Sequence, residues 1–341
     1  MPRPASNPPN PHERFHLERF EPELARLEVS EEQARSALAQ NDSPDIPFRW
    51  SVNPYRGCQH ACAYCYARPT HQYLGLGAGT DFDRRIVVKT NVAERLAHEL
   101  ARPGWRGEPI TFSGVTDPYQ PLEARYGLTR RCLEVALARR NPVAIITKSA
   151  LVRRDVDLLA ELVRRADARV FLSIPFADPE MARAIEPGTP TPAERFETLR
   201  ALSDAGIPTG IALAPIVPRL NDADLPAQLE RARAAGARAA FFLLLRLPAE
   251  VLDVFRERLV EAYPERAEAV LAALAEMRGG KLRESRFGER MRGHGPRYQL
   301  LEDLFRLHCR RLGLETGGDE RLATTQPRAR GGQGLLFEPG P

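Results

Sequence analysis

The chain has 341 residues, 43% of them hydrophobic, enough for a sizeable core in one large domain or two. Arginine outnumbers lysine 46 to 3, yet the formal net charge is only +4, so the arginine excess reads as codon bias and not by itself as a nucleic-acid signal. The longest apolar run, residues 239–245, is far below a membrane span, no apolar signal segment opens the chain, and an odd number of cysteines with three clustered argues against a secreted disulfide scaffold; the expectation is a cytoplasmic protein with no membrane contact.

Residues 1–46 read as an N-terminal extension. Its start is rich in proline (Pro2, Pro4, Pro8, Pro9 and Pro11), which predicts partial disorder, and residues 20–38 have helical character. From 47 to 250 strands and helices alternate. Short runs rich in Val, Ile, Leu and Phe predict strands buried on both faces at 48–52, 86–89, 110–113, 143–147, 170–174, 209–215 and 240–245. Helical patterns fall between them at 92–100, 129–139, 156–165, 192–205 and 225–235, and Gly206 and Gly236 sit where C-terminal stops belong. Repeated βα units predict a parallel sheet, either a full or partial barrel or an open doubly wound sheet, with chemistry at the C-terminal ends of its strands. Residues 251–312 read as a helical C-terminal part with a basic loop inside it, and 313–341 as a flexible tail.

The strongest chemical signal is Cys58, Cys62 and Cys65, a C-x3-C-x2-C cluster with Tyr64 just before the last cysteine. It follows the first predicted strand and so falls at the expected catalytic face. Three soft ligands on one short loop hold three corners of an iron–sulfur cubane and leave the fourth iron open. A Cys3His zinc site using His60 or His71 is the alternative. Cys132 and Cys309 lie in helical patterns and read as buried apolar thiols. Of the three lysines, Lys89 and Lys148 each end an apolar, β-branched run, where a compact ammonium has a use that arginine does not serve.

The cysteine spacing resembles that of the radical S-adenosylmethionine (SAM) enzymes. Residues 53–58 (Asn-Pro-Tyr-Arg-Gly-Cys), 65–68, 113–121, 147–149 and 285–293 resemble the branch related to spore photoproduct lyase, the DNA-repair-photolyase-like proteins, over about residues 50 to 300. The resemblance implies an α/β fold, a partial (β/α)6-type parallel barrel with a helical C-terminal extension. It implies a 4Fe–4S cluster on Cys58, Cys62 and Cys65. SAM would sit on the open iron and be cleaved reductively to a 5′-deoxyadenosyl radical, with electrons from a flavodoxin or ferredoxin type of donor. Carried over position by position, Tyr64 shields the cluster and the backbone at Tyr66 faces adenine. Ser113, Thr116 and Asp117 occupy the segment that contacts the SAM amino group, although the family's Gly-Gly-Glu is absent here. Lys148 is placed to bind the SAM carboxylate, and Ser149 and Ser173 the ribose. The plainer readings are a turn at Asp117-Pro118 and a simple strand exit at 147–149.

Two segments suggest partners. Lys281 to Arg297 carries six cations against two carboxylates, a local +4, able to meet nucleic-acid phosphates or to form a solvated loop. Gln333 to Phe337, Q-x-x-Leu-Phe in a polar tail, resembles the peptide with which bacterial polymerases and repair proteins bind the sliding clamp. Damaged or modified nucleic acid is the leading expectation for substrate. The rival readings are a zinc-stabilised nucleic-acid-binding module, and a clamp-recruited, redox-sensing iron–sulfur protein that does not cleave SAM.

Overall fold

The computed structural model describes residues 5–12, 26–248, 250–283 and 287–316. Among these residues the strands are β1 (Glu28–Glu32), β2 (Leu38–Gln40), β3 (Trp50–Val52), β4 (Tyr55–Arg56), β5 (Arg85–Lys89), β6 (Ile110–Phe112), β7 (Val143–Thr147), β8 (Ala168–Ser173), β9 (Thr209–Ile216), β10 (Ala239–Leu244) and β11 (Glu315–Thr316). The main sheet runs β2-β3-β6-β7-β8-β9-β10-β11. From β3 to β11 every pairing is parallel, and β2 closes the β3 edge antiparallel. The fold is α/β, and of the arrangements that the strand–helix alternation leaves open it is the partial barrel, with helices Val251–Ala262, Pro264–Met277 and Gly295–Leu312 after it.

Burial on both faces explains why the barrel strands were legible as unbroken apolar runs. Val52, Ile110, Phe112, Ile145, Val170, Leu172, Ile211 and Leu213 lose all contact with solvent. Each such side chain contributes about 1.5–3 kcal/mol of burial free energy. On the opposite faces of these strands Ala144, Phe171 and Phe241 form a separate cluster. Gly210 makes room for it: a Cβ there would lie 2.3 Å from the Phe171 ring. Helix Gly295–Leu312 covers β10, with Phe305 packed 4.9 Å from Phe242 between ring centroids.

One predicted strand lies elsewhere. β5 forms a small second sheet, β1-β5-β4. Its burial alternates, with only Ile86 and Val88 fully buried, the mark of a strand covered on one face. It pairs with β4, just before the cysteines, and so closes the cysteine loop from behind.

The N-terminal extension also differs from expectation. Residues 28–32 and 38–40 are strands, not helix, because β5 and β3 offer them backbone partners. Residues 5–12 are tied to the domain: the Ala5 carbonyl accepts from Thr80 N at 3.2 Å, and Asn7 Oδ1 accepts from Gly79 N at 3.1 Å. A boundary at residue 46 would therefore cut through the main sheet. No helix among the described residues is long and apolar enough to cross a membrane. The tail motif Gln333 to Phe337 lies outside the described residues.

Candidate metal and cofactor site

The cysteine loop leaves β4 and crosses the C-terminal ends of the barrel strands. Gly57 opens it at φ +77°, where a Cβ would stand 2.8 Å from the Phe82 carbonyl; only glycine fits both the angle and the approach. Backbone hydrogen bonds hold the loop from three sides: Cys58 N to Phe82 O (3.0 Å), Ala63 N to Ile185 O (2.9 Å) and Gly188 N to His60 O (3.0 Å). Gln59 and Gln120 lock it to the next segment. Gln59 N donates to Gln120 Oε1 at 3.1 Å, Gln120 Nε2 to Gly57 O at 3.1 Å, and Leu122 N to Gln59 Oε1 at 2.9 Å. Cys58 and Cys62 are buried and Cys65 half-buried.

Arg68 is the clamp of this loop. It is 1% exposed and donates to the carbonyls of Cys62 (3.0 Å), Ala78 (3.0 Å) and Gly79 (2.9 Å) while pairing with Asp83 at 2.9 Å. A planar fork with five N–H donors can serve four partners at once; a lysine cannot. On the other side the constraint is space. A Cβ at Gly188 would lie 2.0 Å from the Gln59 carbonyl. Gly188→Ala is expected to cost about 1–3 kcal/mol by overpacking and to lower the iron retained per chain, read by urea unfolding and iron analysis. Wild-type values in both would show that the loop yields.

The segment after β6 is organised by Asn53. Its Oδ1 receives Gly114 N (3.0 Å), Val115 N (2.8 Å) and Thr116 N (3.5 Å), which holds Ser113 at φ +112°, a conformation that costs a non-glycine residue on the order of 1–3 kcal/mol. The Thr116 hydroxyl donates to the Tyr55 carbonyl at 3.3 Å. The Asp117 carboxylate accepts from Thr147 Oγ1 (2.7 Å), Tyr119 N (2.9 Å) and Lys148 N (2.8 Å). His60 Nδ1 stands 3.2 Å away as an ion-pair neighbour outside hydrogen-bond geometry. Burial pushes the Asp117 pKa up, and His60 with these donors more than reverses it, to about 2. The Thr116 hydroxyl and the Asp117 carboxylate thus both have partners inside the protein. Thr116 and Asp117 join the cysteine loop to the ends of β6 and β7.

A second buried charge network lies under the mouth. Glu186 is wholly buried. It accepts from the Tyr64 phenol and stands 2.7 Å from Arg195 and 3.2 Å from Lys148. Burial raises its pKa, and the two cations bring it down to about 2. The capping box of Thr191 and Glu194 starts helix Pro192–Asp204 at the barrel mouth, so Arg195, in its first turn, reaches Ser173 O (3.0 Å) and Pro190 O (2.9 Å). The Lys148 ammonium donates to Ser173 Oγ and lies 5.6 Å from the Tyr64 ring centre. With Ser173 and Glu186 served, one of its three N–H donors is left. The Ser173 hydroxyl gives its proton to the Ala214 carbonyl at 3.2 Å, so its donor is used. Ser149 caps the following turn, accepting from Leu151 N at 3.2 Å, and among the described residues its O–H donates to no acceptor. Tyr66 is 53% exposed, its phenol on the Gly114 carbonyl at 2.8 Å.

Tyr64, Lys148 and Ser173 therefore share one network; Tyr66 and Ser113 lie along one edge with Thr116 and Asp117, and Ser149 lies at the exit of β7. Sequence reasoning missed Arg68, Glu186, Arg195, Asn53 and Gln120. Asn53, Arg68 and Gln120 stand within the motif segments 53–58, 65–68 and 113–121, the signal that points to them; Glu186 and Arg195 carry no local signal. Cys132 and Cys309 are wholly buried in helices. His71 Nε2 is engaged at 2.8 Å by the Arg85 carbonyl.

The donor set fits a cubane. Among the described residues no three His, Cys, Asp or Glu side chains converge on one metal ion; a cubane takes each thiolate to a different iron and needs no such convergence. Three cysteines on one clamped loop would supply three corners, and a cubane with one open iron calls for no fourth protein ligand.

Residues 52–232 match the radical SAM superfamily, and the chain belongs to it. A protein of Mycobacterium tuberculosis is 42% identical over 249 residues, 72% of this chain and 73% of the relative. One of Methanocaldococcus jannaschii is 30% identical over 200 residues, 59% of this chain and 72% of the relative. The fold is that of spore photoproduct lyase: its structure in complex with dinucleoside spore photoproduct aligns with a TM-score of 0.60 at 17% identity, over 84% of this chain and 81% of that one.

Proposed function

We propose that Cys58, Cys62 and Cys65 hold a 4Fe–4S cluster and that the chain performs SAM-dependent radical chemistry on nucleic acid. When bound, the cluster and SAM supply a one-electron cleavage of SAM and a 5′-deoxyadenosyl radical that abstracts hydrogen. The protein supplies placement. Arg68, Gln59 and Gln120 fix the loop, and Glu186 fixes Tyr64 and Lys148 relative to it. Lys148 offers its remaining N–H to a carboxylate and Ser149 its O–H to a ribose. Burial of Cys58 and Cys62 keeps water from the reacting centre.

The observation that carries this reading is the delivery of three thiols by one clamped loop to the strand ends where the Lys148 network meets them. The nucleic-acid part is supported by the basic segment 281–297, whose Arg278-anchored loop reaches the end of β10, and by the dinucleoside in the spore photoproduct lyase structure of the same fold. Anaerobic reconstitution with iron and sulfide is expected to give a visible chromophore with about four irons per chain. Reduction in the presence of SAM is expected to release 5′-deoxyadenosine, in greater yield with damaged DNA or with RNA if either is the substrate. A chain that binds iron but never cleaves SAM would overturn the reading in favour of a redox-sensing cluster.

A further inference from the structure

Arg246 follows β10 at the barrel mouth. Among the described residues its buried Nε meets no acceptor, and its Nη1 reaches Met291 Sδ at 3.9 Å, a weak acceptor at best. Among the described residues no carboxylate forms an ion pair with it. Its electrostatic neighbours are Arg290, Tyr66 and Asp45. Tyr66 places it beside the cysteine loop. Arg290 does not share its isolation, since Arg290 Nε pairs with Asp45 at 2.6 Å and Nη2 donates to Ser43 Oγ at 2.6 Å. A half-buried guanidinium without an anion costs desolvation that nothing in the protein returns.

The surroundings are built, not loose. Arg278 donates to the carbonyls of Arg290 (2.7 Å) and Arg292 (2.9 Å) and to those of Leu244 (2.8 Å) and Leu245 (2.9 Å). It thereby staples the basic loop to the end of β10, next to Arg246. Asp45 tightens the same loop by accepting from Gly288 N at 2.6 Å. Beside it Phe287 is 61% exposed, its ring stacked on the Arg290 guanidinium at 4.3 Å. An aromatic face stacked on Arg290, which in turn neighbours the unpaired Arg246 guanidinium, is an arrangement that suits one base and one phosphate of a single strand.

We propose that Arg246 binds a backbone phosphate of a single-stranded nucleic-acid substrate at the barrel mouth, with Phe287 stacking on an adjacent base. This rests on the nucleic-acid reading above and adds the subsite. No covalent step is involved.

The test is the salt dependence of binding of a short fluorescein-labelled single-stranded DNA to the full-length chain, reconstituted but not reduced, so that SAM cleavage plays no part. Arg246→Ala is expected to weaken binding about tenfold and to lower the log–log salt slope by about 0.7, one phosphate contact. Arg246→Lys is expected to keep the slope and lose part of the affinity. Phe287→Ala is expected to weaken binding about tenfold with the slope unchanged. Arg200→Ala, towards the far end of helix Pro192–Asp204, serves as the control and changes neither. Retention of the wild-type melting curve shows that each variant folds. An unchanged slope in Arg246→Ala overturns the proposal, as does loss of SAM binding in equilibrium dialysis with oligonucleotide binding intact, which would make Arg246 a carboxylate ligand of SAM. Absence of any oligonucleotide binding by the wild type also overturns it, whereas absence of 5′-deoxyadenosine with an Arg246-dependent slope would sink the proposed chemistry and leave this subsite standing.

Discussion

Cys62→Ala is expected to abolish both the reconstituted chromophore and the release of 5′-deoxyadenosine. Cys62 is the middle cysteine of the loop, its backbone carbonyl gripped by Arg68 and the residue 6% exposed. Alanine removes one of the three thiols of the loop, and the two nearby histidines already have neighbours, His60 beside Asp117 and His71 on the Arg85 carbonyl. Cys62→Ser should do nearly as much damage, since a hard alkoxide is a poor substitute for a soft thiolate on iron. Cys132→Ala and Cys309→Ala should leave the cluster intact, both thiols being enclosed in helices. Iron and sulfide analysis with visible absorption decides the matter. Wild-type stoichiometry in Cys62→Ala would refute the ligand assignment.

Glu186→Gln is expected to destabilise the fold by about 3–5 kcal/mol, the range for breaking a buried ion pair from one side. The carboxylate is wholly buried between Arg195, itself 1% exposed, and Lys148, and it receives the Tyr64 phenol. Glutamine keeps the shape and removes the charge. Arg195 is then left as a buried cation with only carbonyls and a hydroxyl around it. Lys148, with 13% of its side chain exposed, relieves part of its own imbalance through water. Urea unfolding monitored by circular dichroism gives the loss, and Glu186→Asp, which keeps the charge on a shorter arm, should fall in between. A Glu186→Gln variant within about 0.5 kcal/mol of wild type would show that the network is not a charge-compensated unit.

The barrel was readable because its strands are covered on both faces, so that 143–147 or 209–215 declares itself by composition alone. The same rule failed for β1. Glu28–Glu32 is mostly exposed and becomes a strand only because β5 offers it a backbone edge. Placing residues 86–89 in the barrel was the matching error: their alternation signals a one-face strand, and no local feature says which sheet it joins.

The spacing of the three cysteines is contained in eight residues of chain and is visible without tertiary information, and one predicted strand before them with the βα alternation after them is enough to put their loop at the strand ends. The partners of that loop were a different matter. Glu186 and Arg195 lie more than a hundred residues downstream, on elements that reach the mouth only once the barrel closes, and a buried acid between two cations leaves no trace in a polar stretch of sequence. Asp117 shows the limit from the other side. Its carboxylate meets three inward donors and a histidine, partners that its own stretch of sequence does not announce, because β6 and β7 end side by side. Contiguous cysteines and two-face burial are local properties that sequence determines by itself; which charges meet in the interior is settled by long-range strand and helix placement, and only the tertiary structure decides it.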